Sequence, residues 1–194
     1  MKIRNLLSLM FIVGCLIGSA QEFGEFTDSR DGKTYKTVTI DIELEGGVKV
    51  QRTWMAENLA YEVPESFCYK NEPAYCEAFG RLYTFKAAKE ACPDGWHVPT
   101  ISEWNLLFNT FGGINDAGIA LQKGGESGID LVLGGFGDPG RVFKNVGISG
   151  NYWDAEKKSN NTSGLISVQK GSKEIYHSVI GDWHRNSCRC IKDY

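Results

Sequence analysis

Apolar residues recur with a period near two at Val38, Ile40, Ile42 and Leu44, after the Asp31-Gly32 turn signal and Tyr35. Gly46-Gly47 supplies a hairpin turn, and Val48 and Val50 lead into a second strand through Trp54. From Trp54 the chain leaves the strand and runs as a loop through Pro73. Over residues 75–104 the pattern changes to a helix, a cysteine, a Pro-Asp-Gly-Trp turn and a second helix. Pro93 stops the first of these near Ala91 or Cys92. Thr100 and Glu103 have the spacing of a capping box for the second. Trp104, Leu107, Phe108 and Phe111 then line one helical face until Gly112-Gly113 ends it. Residues 115–122 read as a short third helix with Asn115 as its cap.

From 112 to 150 glycine is dense and no period is sustained, without the Ser or Pro bias of a linker. Long ordered loops and short strands are expected there. Tyr152-Trp153, residues 165–168, Ile175-Tyr176, residues 178–180 and residues 188–191 read as closing antiparallel strands. These readings add up to an α+β fold: two helices with a small antiparallel sheet and long Gly-rich loops.

Several segments resemble one known family, in its order: DSRDGKTYKTVTI (28–40), WMAENLAY (54–61), Cys68-Tyr69, the stretch YCEAFGRLYTFKAAKEACPDGWHVPTISEW (75–104), NYW (151–153) and RCIKD (189–193). By these the chain resembles the Fibrobacter succinogenes major paralogous domain family. That resemblance implies a C-type-lectin-like fold, distantly similar to formylglycine-generating enzymes, and an exported setting; it implies no reaction. It also implies a disulfide from Cys92, at the end of the first helix, to Cys190 in RCIKD. Cys68 and Cys76, flanking a short loop, are then the second pair, and Cys188 is left as a free thiol or as the link of a covalent dimer.

The first twenty residues change the picture of where the protein works. Lys2 and Arg4 precede an apolar run from Leu6 to Ile17 that is short for a membrane span, and Gly18-Ser19-Ala20 suits signal cleavage. Cleavage there leaves residues 21–194 as a single domain. Ile12-Val13-Gly14-Cys15 is a rival lipobox, in which Cys15 would carry lipid. The formal net charge is −3 and no Lys/Arg block occurs, which argues against a nucleic-acid partner. No second apolar stretch reaches spanning length.

Candidate chemistry is sparse. Trp54, Trp96 and Trp104 are assigned to the core. Trp153 and Trp183 lie among polar residues and, with Asp154, are the candidates for holding a glycan. Calcium has weak support: Asp130, Asp138 and Asp154 offer oxygens, but no lectin-type calcium motif is present. His184, Cys188 and Cys190 lack an evident fourth zinc ligand, and Asp182-His184 lacks a nucleophile. The favoured function is a non-enzymatic exported domain that binds a glycan or an envelope protein through the loops between Gly112 and Asp154. The alternatives are an enzyme or maturation factor, and a purely structural envelope component.

Overall fold

The computed structural model describes residues 21–194, so the signal-peptide reading and the lipidation alternative at Cys15 lie outside the described residues. Two sheets form the body. The first has five strands in the order β1-β2-β3-β13-β6: β1 (Glu22–Thr27), β2 (Thr34–Glu43), β3 (Lys49–Met55), β13 (Ile191–Lys192) and β6 (Trp96–His97). The second has eight, with the path β11-β10-β9-β12-β5-β4. Its members are β4 (Ser66–Phe67), β5 (Leu82–Tyr83), β9 (Ser149–Ser159), β10 (Thr162–Gln169), β11 (Ile175–Gly181) and β12 (Asn186–Ser187), while β7 (Gly134–Gly137) lies parallel to β9 and carries β8 (Phe143–Val146). The helices are short: α1 (Pro73–Phe79), α2 (Phe85–Ala91), α3 (Ile101–Thr110) and α4 (Ala117–Leu121).

This corrects the expected fold. The chain is dominated by two sheets of five and eight strands, not by two helices on a small C-type-lectin-like sheet. Two physical reasons account for the difference. The helix expected to run up to Cys92 is cut at Gly80, whose φ is +75°. A Cβ on Gly80 would lie 2.6 Å from Asn58 Cβ and 2.8 Å from the Leu59 carbonyl, so the chain must turn at a close backbone approach. Leu82 and Tyr83 then join the second sheet between β4 and β12, and α2 starts afresh at Phe85. The second reason is that short, irregular segments rich in Gly and Ser pair as strands once a neighbour supplies the ladder; β7 is GGFG. β1 likewise carries no clear period, yet it pairs with β2 over its full length.

The central strands of each sheet are buried on both faces, and this sorts adjacent residues into two separate cores. Trp54, Tyr152 and Ile191 enter one core with Val38, Ile40, Trp104 and Phe108. Their neighbours Met55, Trp153 and Cys190 point the other way, into a second core with Tyr35, Tyr83, Phe85 and Ala88. Successive strand side chains alternate in direction, so bulky doublets such as Trp54-Met55 and Tyr152-Trp153 mark strands sandwiched between two layers. α3 closes the first core: Trp104 lies between Trp54 (5.0 Å between ring centroids) and Phe108 (5.8 Å). Its start is the expected capping box, with Thr100 Oγ1 accepting from the Glu103 amide and Glu103 Oε2 accepting from the Thr100 amide. α4 is capped at Asp116 rather than Asn115, and no side-chain cap bond forms.

Disulfides join Cys68 to Cys76 and Cys92 to Cys190. The second spans 98 positions and ties the end of α2 to the approach of β13. Cys188 is a free thiol with no exposure, so its sulfur is not presented to a second chain. Among the described residues no helix is long and apolar enough to cross a membrane.

Candidate functional site

Four loops converge on one exposed aromatic ring, Trp183. It sits in the turn between β11 and β12 and is 62% exposed, the most exposed of the tryptophans. The turn is held from three sides. Asp182 donates its amide to the Asn161 carbonyl at the tip of the β9–β10 hairpin (3.0 Å), and its own carbonyl accepts the Phe85 amide at the start of α2 (3.0 Å). Its carboxylate accepts from Ser163 Oγ (2.6 Å) and pairs with the Lys157 ammonium. Thr84 caps α2 by accepting from the Ala87 amide, and its hydroxyl donates to Glu65 Oε2 (3.2 Å), which fixes the loop before β4. His184 donates its amide to the Gly181 carbonyl, closing the turn.

A groove of about 490 Å³ opens on one side of the Trp183 ring, between Phe85, Lys86 and Glu90 of α2 and Lys157, Asn160 and Asn161 of the hairpin. A second hollow of about 360 Å³ is lined by Trp183 together with Phe67, Arg141 and Arg185. The indole therefore lines both hollows, which also share Glu65 and Thr84. The size suits a small ligand, and the lining combines an apolar face with amides, carboxylates and ammonium groups. That mix stacks on a flat apolar surface and hydrogen-bonds a ring of hydroxyls around it.

The other sequence candidates are placed elsewhere. Trp153 has no exposed surface: its indole N–H donates to the Tyr83 carbonyl (2.7 Å) and Phe85 meets it edge-on. Asp154 is equally buried, accepting from the Glu156 amide (2.7 Å) and paired with His177 Nε2 (3.0 Å). The pair meets above Gly164 of the intervening strand, where an added Cβ would lie 1.8 Å from Asp154 Oδ2. Neither Trp153 nor Asp154 presents an open face to a ligand. Asp130 and Asp138 accept from the Gly124 and Val142 amides of their own loops. Among the described residues the sulfurs of Cys92, Cys188 and Cys190 lie within 4.8 Å of one another, but two of them are bonded and His184 is turned to Gly181. Burial pushes the Cys188 thiol up to about 12, against a smaller pull from Arg189, so the sulfur is held protonated.

The sequence reading picked out Trp183 because it is a tryptophan in a polar context, but sought the site between Gly112 and Asp154. Glu65, Phe85, Lys157 and the Asn160-Asn161 tip were missed as its partners. They lie on segments far apart in sequence, and only the pairing of β9 with β10 and the packing of α2 bring them together. A model of the Fibrobacter succinogenes major domain matches residues 49–192. No curated protein and no solved structure matches the chain.

Proposed function

The chain belongs to the Fibrobacter succinogenes major domain family, and from that premise we propose that it is an exported, non-enzymatic domain that binds a glycan at the bacterial cell envelope through the Trp183 groove. Two disulfides support the exported setting, since such bonds persist in oxidising compartments. The observation that carries the binding role is the exposed Trp183 ring, which lines two hollows together with Asn160, Asn161, Glu65 and Lys157. A large apolar ring held in water by a braced turn costs solvation free energy, and a ligand that covers it recovers that cost. The polar lining favours a hydroxylated ligand over a purely apolar one. Asp182 is engaged by Ser163 and Lys157, and Glu65 by Thr84, so these carboxylates orient the loops and are not poised as free general bases.

A glycan array tests the reading. The protein is expected to retain a defined set of glycans, and Trp183→Ala to weaken that binding by about tenfold or more while the melting temperature stays unchanged. An array with no bound glycan, or equal binding by Trp183→Ala, would overturn the proposal.

A further inference from the structure

Among the described residues the sheets have five edges, and four carry a feature that discourages pairing with another chain. β4 and β6 are two residues long. β1 presents exposed Glu22 and Glu25, and β8 is four residues long with Lys144 and a left-handed Asn145 (φ +65°). Short length, edge charge and local distortion are the usual protections. β11, the outer strand of the second sheet, has none of them. Its seven residues, IYHSVIG, contain no carboxylate, lysine, arginine or proline, and its register with β10 is uninterrupted. Residues 176–179 are all exposed, with Tyr176 at 41% and Val179 at 54%.

The free backbone groups on this edge can be assigned by parity. Asp182 donates inward to Asn161 of the neighbouring arm, whereas Ile175 donates outward to the Ile114 carbonyl. In an antiparallel ladder alternate residues face the partner strand, so the odd-numbered residues of β11 face away from β10. Of these, the Ile175 amide is used by Ile114, and the Gly181 carbonyl accepts from His184. His177 and Val179 make no backbone hydrogen bond outside the sheet among the described residues. The N–H groups of His177, Val179 and Gly181 and the C=O groups of Ile175, His177 and Val179 therefore face outward.

We propose that β11 pairs with β11 of a second copy of this chain, antiparallel about a two-fold axis at Ser178. In that register His177 of each copy exchanges both backbone bonds with Val179 of the other, and the Ile175 carbonyl meets the Gly181 amide, so the free groups on each edge are satisfied. Tyr176 then lies opposite Ile180, an aromatic–β-branched pair formed twice, and Val179 covers the His177 ring. Charge agrees at the ends. Glu174 comes opposite Asp182, whose carboxylate already holds Lys157, so one ammonium lies between two carboxylates. A strand of unlike sequence could match the backbone but would not repeat these side-chain pairs on both sides of the axis.

The test is sedimentation velocity on the purified exported protein from about 10 µM to about 1 mM, a range that detects weak association. The expected result is a concentration-dependent dimer. Val179→Lys should weaken it by about tenfold or more by adding charge to the edge. Val179→Pro, which removes one outward N–H and leaves every bond to β10 in place, should abolish it. Circular dichroism and melting confirm that each variant is folded. Ser178→Cys should form a disulfide-linked dimer under mild oxidation, because facing residues of a non-hydrogen-bonded pair lie about 4.5 Å apart at Cα; Tyr176→Cys should not. Trp183→Ala should leave the dimer unchanged, which separates this result from glycan binding. A monomer at the highest concentration, or a dimer that is indifferent to Val179→Lys and gives no crosslink with Ser178→Cys, would overturn the proposal.

Discussion

Two buried side chains next to one another, Cys188 and Arg189, show how much individual residues carry here. Cys188 has no exposure, and burial raises its thiol to about 12. In a chain starting at Gln21, a thiol reagent at pH 8 should find no reactive group in the native protein and one per chain after denaturation without reductant. A native thiol that reacts at once would show that the second core is open. Arg189 is a fully buried guanidinium whose hydrogen-bond partners among the described residues are all neutral. It donates to the carbonyls of Met55 (2.9 Å), Ile129 (2.8 Å) and Asp130 (3.1 Å) and to Asn58 Oδ1 (2.7 Å). It thereby ties β3, the loop after it and the Gly-rich segment at residues 129–130 to the end of the chain. Arg189→Met should cost about 3–5 kcal/mol by leaving several acceptors unpaired, read as a lowered denaturation midpoint at unchanged slope. A loss below about 1 kcal/mol would mean that those carbonyls find other donors.

At the scale of single elements, the start of α3 joins helix capping to charge. Burial alone would raise the Glu103 carboxyl, but bonds from the Thr100 amide and hydroxyl and from His97 outweigh it and hold the group below its usual range. Asp28 is held low by the Arg30 side chain, against the opposing effect of burial. A carboxylate lowered in the folded state adds stability above its unfolded pKa and loses it as pH falls through the folded value. Stability should therefore drop as pH falls below about 4. Thr100→Ala should cost about 1 kcal/mol at pH 7 and less at an acid pH low enough to protonate the lowered Glu103 carboxyl, which weakens its half of the capping box. Denaturant titrations at the two pH values check this; an equal cost at both would show that the two residues act independently. This helix was legible because a cap, a 3.6-residue stripe and a glycine stop all lie within one short stretch. α1 and β5 were not, because the break at Gly80 is imposed by Asn58 and Leu59, more than twenty positions away.

For the molecule as a whole, the long crosslink counts most. Closing a loop of this length is worth about 4–5 kcal/mol in the chain-entropy model, against roughly 2.5 kcal/mol for the Cys68–Cys76 loop. Cys188 modifies the outcome, because its sulfur lies 3.8 Å from Cys92 Sγ. Cys190→Ser should therefore form a Cys92–Cys188 bond and lose less stability than Cys92→Ser, which removes the common partner. Peptide mapping of Cys190→Ser and paired melting curves test this; a variant with Cys92 and Cys188 both reduced would refute it.

Local signals in the chain were enough for the elements whose cause is local. The β2–β3 hairpin follows from alternating residues around Gly46-Gly47 and the α3 cap from a four-residue spacing, whereas polar neighbours mark buried Trp153 and exposed Trp183 alike. The two-layer burial of the central strands was written in doublets such as Tyr152-Trp153, but such a doublet alone reads only as a strand, because a residue pattern does not say how many layers cover it. Tertiary structure alone decided the size of the sheets, the split of those doublets between two cores, and the meeting of Glu65, Phe85, Lys157 and Trp183 around one groove. Each of these depends on which strand lies beside which. Backbone hydrogen bonding is nearly indifferent to side-chain identity, so such pairings are selected by the packing of the whole chain and leave little trace in any one segment.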